Sequence, residues 1–412
     1  MSAQATHPGA RFPERDFEQD LQRLLLHSGV REALRWLEQA HEWILEEQIQ
    51  LTEIPAPTFH EGRRARAVRN ALRTLGWHAE LDAAGNVVAE QAGTGTEVVL
   101  ISAHLDTVFP AGTVIRVGRE GSRLYGPGIA DNGAGLAALL ALARVLHQVP
   151  LGLQRTLALA ANVAEEGEGN LRGMQALMQR YQHRLAAVLV LDGPGEAGVT
   201  TRAVASRRLE IVISGPGGHS WGDFGLPNPV HALGRAIARI ATLPLPSSPR
   251  SAVSVTWLEG GYAINAIPAR AAMKVDIRSE EEAEVLYLEQ QVRWLAGRCA
   301  DEEGQQGRPG SAPLEVQIRL LGVRPGGQLA EDAFVLRALR AVDRWLGIET
   351  MYESGSTDAN LPLSLGIPAV ALGAGGQGGA IHTPQEWYDA SGRACALQRI
   401  LLLTLLLAGL EE

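Results

Sequence analysis

Cysteine is scarce, with only Cys299 and Cys395 in 412 residues. Two thiols exclude a disulfide framework and a thiolate-rich structural zinc site, and buried free thiols in a reducing cytoplasm are expected. Lysine is nearly absent: Lys274 is the sole one among 37 basic residues, which reads as genome composition and not as mechanism. Positive charge is in deficit, and a formal net charge of −9 excludes nucleic acid and anionic membrane as main partners. No apolar run is long enough to span a bilayer; LLLTLLLAGL at residues 401–410 predicts a buried terminal helix instead. The N-terminus, MSAQATHPGARFPERDFEQ, lacks the apolar core of a signal peptide, so a cytoplasmic protein is expected. Internal repeats and low-complexity segments are absent.

The remainder is ordinary for a globular enzyme, with 46% hydrophobic and 20% charged residues. This length exceeds one ordinary domain, so two are expected. Residues 1–15 are polar and dotted with Pro and Gly, as in a loose tail. Helical periodicity covers residues 16–27, 31–51 and 63–75. AELDAAGNVVAEQ predicts two strands about a Gly-Asn turn. Then come three continuous apolar runs, EVVLISAHLD, RTLALAANVAEEGEG and AAVLVLDGPG, typical of buried strands in an α/β sheet. Each ends in a polar cluster. DNGAGLAALLALARVLHQV, between the first two, predicts a helix opened by Asp131. Open α/β sheets bind ligands at the carboxyl ends of their strands, so the three clusters should converge on one sheet edge.

Near residue 205 the pattern changes. RRLEIVISG, SAVSVTWLEGG, ARAAMKVDIRS and PLEVQIRLLG alternate polar and apolar residues, and helical patterns follow the first and third. The order β-α-β-β-α-β is that of a ferredoxin-like unit. From about Gly322 the α/β style resumes, with FVLRALRAVDRWLG as a helix, IPAVALGAG as a strand and EWYDASGRACALQRILLLTLLLAGL as the last helix. The expected organisation is an α/β domain made of residues 1–204 and 322–412, with an α+β domain, 205–321, inserted into it.

The strand ends carry the chemistry. In His104-Leu105-Asp106, residues i and i+2 point the same way, so Asp106 can orient a metal-binding His104 from behind. A surface pair would look the same. Asp131 in YGPGIADNGAG suits a helix N-cap, but its glycines also allow a carboxylate to be presented to a pocket and to bridge two cations. Glu165 and Glu166 are adjacent and point opposite ways, so one can ligate a metal while the other acts as general base. Asp192 ends the third run. His382 sits in the Gly-rich GGQGGAIHTPQEWYD. Singly, each has a bland reading as a cap, turn or solvated strand end. Together they make a His/carboxylate set of the kind catalytic zinc uses, and a two-metal site would stabilise both attacking and leaving oxygens in hydrolysis. Carboxylate-rich sites also take Mn2+ or Co2+.

With SAHLDTVFP, GPGIADNGAG, VAEEGEG, LDGPG, GPGGHSWGDFG, YAINAIPA, DIRS and STDANLPLSLGIPAVALG in that order, the sequence resembles the dinuclear zinc metallopeptidase family of carboxypeptidase G, peptidase T, aminoacylase and succinyl-diaminopimelate desuccinylase. The peptidase T-like members look nearest. The resemblance implies a zinc-exopeptidase-like three-layer αβα catalytic domain with an inserted ferredoxin-like α+β lid and dimerisation domain. It implies two divalent ions per chain, zinc or else Co2+ or Mn2+, bridged by Asp131. His104 and Asp192 complete one metal, Glu166 and His382 the other. Asp106 orients His104, and Glu165 takes a proton from the attacking water and passes it to the leaving amine. The peptide link after the bridging aspartate is often cis, and Asn132 stands where many relatives have a second Asp, with little consequence expected. His219 matches a residue that polarises the scissile carbonyl, often from a partner subunit. Asn265, Arg278, Gly355, Ser356 and Asp358 match substrate contacts, Arg278 suiting a carboxylate.

The implied activity is amide hydrolysis in short peptides by a homodimer. An N-acyl amino acid deacylase is the alternative, and a catalytically silent binding protein on the same fold is disfavoured by the intact Glu165.

Overall fold

Strands without polar alternation need cover on both faces. The segments Val98–His104, Thr156–Asn162 and Leu185–Leu191 form such strands, buried at nearly every residue. In the computed structural model, which describes residues 15–148 and 152–411, the second and third flank the first, and both run parallel to it. The strand Ala369–Leu372 continues the parallel array beside Leu185–Leu191. The expected tail, up to residue 14, lies outside the described residues.

Helix Gly133–Gln148 links the first of these strands to the second, and helix Arg172–Tyr181 links the second to the third. The two crossovers travel in opposite directions across the sheet. Parallel crossovers are right-handed, so the two helices cover opposite faces and the αβα layering follows. The adjacent strands Val98–His104 and Thr156–Asn162 therefore send their connections to opposite faces, and an α/β sheet opens a crevice beyond the carboxyl ends at such a point. Antiparallel strands Val87–Gln91 and Ala79–Leu81 extend one side of this nine-stranded sheet. Gly198–Ala203, Gly327–Gln328 and Met351–Gly355 extend the other.

The last helix, Arg393–Ala408, is buried along almost its whole length. None of the described helices is long and apolar enough to cross a membrane.

Three local expectations need correction. The periodicity over 31–51 is two helices, Ser28–Gln39 and His41–Thr52, broken at Ala40. Residues seven apart on one straight helix stand about 10.5 Å apart along its axis. The break instead lets the Trp36 and Trp43 rings meet edge-on at 5.5 Å, with the Arg144 guanidinium about 5 Å from each. Secondly, the final helix starts only at Arg393; Trp387–Asp389 is a strand paired with Arg123–Tyr125 and Gln377–Gly379. Thirdly, Asp131 does not open the following helix. Asn132 does so, its side-chain oxygen accepting from the Gly135 N–H at 3.1 Å.

The chain divides into two compact units, Met1–Ala203 with Gly327–Glu412, and Val204–Gly326. The smaller unit is a four-stranded antiparallel sheet of Ala205–Ser214, Ser251–Gly260, Arg270–Ser279 and Glu315–Arg324. Its spatial order, second-third-first-fourth, is ferredoxin-like. Helices Pro229–Ile240 and Glu282–Gln306 pack on it around a core of its own that includes Leu209, Ile211, Leu233, Met273 and Val292. The insertion leaves the larger sheet at Ala203 and returns at Gly327, which face each other in register.

Inside the larger unit Arg399 grips Asp343 with two hydrogen bonds of 2.7 Å, both residues less than 5% exposed. Its third nitrogen donates to the Glu196 carbonyl. Removing one partner strands a buried charge. Asp343→Ala is therefore expected to lose about 3–5 kcal/mol of stability, read as a fall in the urea midpoint of the larger unit; an unchanged midpoint would contradict this account.

Candidate metal centre

His104 ends its strand opposite Asn162, and the chain then turns so that the Leu105 N–H donates to the Asn162 carbonyl at 2.7 Å. The turn brings the Asp106 main-chain carbonyl to 3.0 Å from His104 Nδ1. A carbonyl only accepts, so Nδ1 carries a proton and Nε2 points into the site. The Asp106 carboxylate is farther from the ring, at 3.7 Å. Its closer partners are the N–H groups of Glu165 and Glu166, both at 2.9 Å, and the Thr58 hydroxyl at 2.9 Å. Asp106 thus orients His104 chiefly through its backbone, and its side chain holds the next strand end in place. Arg64, fully buried, donates to the carbonyls of Thr52, Ile54 and Leu105 and braces the same turn.

Asp131 lies between the two histidines. Its Oδ1 is 3.0 Å from His104 Nε2 and its Oδ2 is 3.1 Å from His382 Nε2. His104 Nε2 is also 3.6 Å from Asp192 Oδ1, and His382 Nε2 is 3.0 Å from Glu166 Oε1. Two groups result, His104–Asp131–Asp192 and Asp131–Glu166–His382, with donor atoms within 4.8 Å of one another in each and Asp131 common to both. Glu165 forms a third such group with His104 and Glu166 and is itself buried. The peptide bond Asp131–Asn132 is cis. His382 is held at a φ of 66°, on a loop otherwise rich in glycine.

Charge balance shapes the titration here. Burial opposes charging His104, yet the hydrogen bond to Asp131 and the nearby carboxylates of Asp106 and Asp192 raise its pKa well above 6.5. Hydrogen bonds to Asp131 and Glu166 push His382 up to about 10. Burial pushes Asp131 up, but the two histidines outweigh it and hold its carboxyl well below the usual range. Carboxylates outnumber cations, and the donors are imidazole nitrogens and carboxylate oxygens with no thiolate. That donor set fits Zn2+, Co2+ or Mn2+.

The expected substrate residues are differently placed. Asp358, expected as a substrate contact, is fully buried, accepts from the Asn162 side chain at 2.6 Å, and burial pushes its carboxyl up to about 7. Gly355 ends the edge strand Met351–Gly355, followed by a half-buried Ser356. His219, Asn265 and Arg278 belong to the smaller unit. There a short ladder pairs His219 with Ala266, and the Ser220 N–H donates to the Asn265 carbonyl at 3.0 Å. The N–H groups of Trp221 and Gly222 both donate to His219 Nδ1 at 3.2 Å. Arg278 Nε donates to Asp276 at 2.7 Å.

Thr58 and Glu386 were not singled out in the sequence, and Asn132 was expected to matter little. Asn132 is consequential: besides capping its helix it accepts from the Gly193 N–H and donates to the Leu191 carbonyl, fastening the Asp131 turn to the Asp192 strand. Thr58 sits in a loop with no distinguishing pattern. Glu386 is fully buried beneath Asp131, and its one signal was an acid four residues after His382 in an otherwise uncharged stretch.

The family model described as peptidase family M20/M25/M40 matches residues 100–407. An uncharacterised protein of Bacillus subtilis strain 168, YqjE, is 26% identical over 362 residues, which cover 83% of this chain and 92% of that one. Carboxypeptidase G2 of Pseudomonas sp. strain RS-16 is 26% identical, with 74% of this chain and 73% of that one covered. Among solved structures, a tripeptidase from Staphylococcus aureus superposes with a TM-score of 0.72 at 20% identity, covering 89% of this chain and 98% of the other. The chain belongs to peptidase family M20/M25/M40, and it is a metal-dependent hydrolase of amide bonds.

Proposed function

We propose that this chain is a dinuclear metallo-exopeptidase that cleaves di- and tripeptides. The observation that carries the reading is the pair of His/carboxylate groups sharing Asp131, with Glu165 buried beside them and belonging to neither. His104, Asp131 and Asp192 would hold one cation and Asp131, Glu166 and His382 the other, with zinc first and Co2+ or Mn2+ as substitutes. When bound, the ions would polarise the amide carbonyl and make water easier to deprotonate.

Glu165 is the general base. It takes a proton from the attacking water as oxygen bonds to the carbonyl carbon. It then delivers that proton to the amide nitrogen as the C–N bond breaks. The strand end that carries it is fixed by the Asp106 carboxylate. His219 stabilises the oxyanion: its Nδ1 accepts two backbone N–H groups, so the neutral ring carries its proton on Nε2 as a donor. Arg278 binds a substrate carboxylate, its guanidinium oriented by Asp276. Asn265 of the smaller unit and Gly355 and Ser356 of the larger are further candidate substrate contacts.

The smaller unit serves as lid and dimerisation element. Its edge strand Ser251–Gly260 supports this, because it leaves Trp257 and Leu258 40% and 60% exposed on a row of backbone groups open to pairing.

Glu165→Ala, loaded with zinc, should lose about 10²–10⁴-fold in turnover on peptides while keeping its metal content. Wild-type turnover in that variant would refute the mechanism. The panel should set dipeptides and tripeptides against N-acyl amino acids; preference for the latter would make the enzyme a deacylase and overturn the exopeptidase assignment.

If His219 acts across subunits, mixing His219→Ala chains with Glu165→Ala chains should recover activity in hybrids. No recovery after demonstrated subunit exchange would place His219 within its own chain or outside the reaction.

In metal-free protein the raised pKa values keep His104 and His382 protonated at neutral pH. A raised folded-state pKa gives a stabilisation that is full below about 6.5 and, for His382, lost as pH rises through about 10. Zinc uptake must displace those protons. Apparent zinc affinity should therefore climb with pH from 6 toward 10, with proton release on titration seen by a pH indicator in weak buffer. Uptake without proton release would contradict the ligand assignment.

A further inference from the structure

We infer that Glu386 is a positioning residue that sets the geometry of the Asp131 loop against His382; this rests on the metal-site reading above. The loop 126–131 has the sequence GPGIAD, and its backbone donors turn toward one side chain. The N–H groups of Ala130 and Asp131 donate to Glu386 Oε1 at 2.8 and 2.9 Å, and that of Gly128 to Oε2 at 2.8 Å. The Gly126 N–H donates to the Glu386 main-chain carbonyl at 2.9 Å. Each non-proline N–H of the loop except that of Ile129, which itself donates to the Gly126 carbonyl, therefore ends on this one residue.

The remaining side of the loop is held as well. Gln48 donates to the Ile129 carbonyl at 2.7 Å and is itself gripped by Arg393. A methyl group at Gly128 would meet the Thr107 side chain at 2.7 Å, and the residue has a φ of 77°, so the loop has no slack there. Glu386 is also tied toward His382, its own N–H donating to the Thr383 carbonyl at 3.1 Å.

A carboxylate with no exposed surface tolerates burial only when its oxygens are satisfied by donors such as these. No donor of the larger unit other than this loop's N–H groups is needed to explain its place. Its effect is to fix where Asp131 begins relative to His382, and those two residues share one of the two cation groups. Outer partners of metal ligands commonly govern affinity in this way, because they set ligand direction before the ion arrives.

Glu386→Gln keeps the shape but places an NH2 against a backbone N–H. In the full chain it should remain folded by circular dichroism. By chelator competition with zinc alone as probe, zinc should bind about 10–100-fold more weakly, and because Asp131 belongs to both groups neither ion should keep its wild-type affinity. Asp343→Ala supplies the comparison: it lowers stability and should leave both zinc affinities in place. Should Glu386→Gln not fold, Gln48→Met removes the donor on the other side of the loop and should likewise weaken zinc binding. Wild-type affinity for both ions in a folded Glu386→Gln chain, or in Gln48→Met, overturns the inference. A wild-type chain that binds no zinc overturns the metal-site reading instead.

Discussion

The carboxylate of Asp106 is the constraint on which the site depends. It is buried, and burial alone would make its charge costly. The charge persists because His104 and the N–H groups of Glu165 and Glu166 outweigh burial and hold its pKa below the ordinary value. Those same contacts join two strand ends that the ladder of the sheet alone would leave free to splay. Withdrawing the carboxylate would leave two buried backbone donors unpaired, a loss of about 1–3 kcal/mol each, at the point where the base and a ligand are presented.

Glu386 repeats the device on the other wall. In both places the carboxylate of a buried acid gathers backbone N–H groups of a segment that carries a ligand to the site. The ligands are thus aimed by main chain, which has few soft torsions, more than by their own rotamers. This explains how five flexible or charged side chains converge on one place. It also explains why the glycines cluster around Asp131 and His382, where the backbone must come close to its neighbours.

Much of this was readable in the sequence. The strand ends were legible because continuous apolar runs cannot be surface strands, and a carboxylate after such a run must face something. His104, Glu165, Glu166 and Asp192 all stand at such ends or just beyond, whereas Asp131 lies in the loop before a helix. The inserted unit was legible because the alternation of its strands begins abruptly near residue 205. What stayed hidden were contacts with the backbone. The Asp106 carbonyl on His104 and the N–H groups on Glu386 leave no trace in residue type, since every residue has a backbone. The break at Ala40 was hidden for a different reason: nothing local ends the helix there, and the Trp36–Arg144–Trp43 stack depends on a residue some hundred positions away. The burial of Asp358 was likewise hidden, because a loop acid reads as exposed until its neighbours are known.

One detail of the larger sheet bears on how such a chain could have arisen. Ala203 and Gly327, the last residue before the insertion and the first after it, are cross-strand partners. To the host sheet, the whole ferredoxin-like unit occupies the place of a hairpin turn. Closing a connection whose ends already lie side by side asks little of the host, and a longer loop adds to that entropy only logarithmically. The junction therefore works as a socket: the catalytic layer keeps its register whatever is plugged in, and the unit that is plugged in can change its surface without disturbing the strand ends where the chemistry is held.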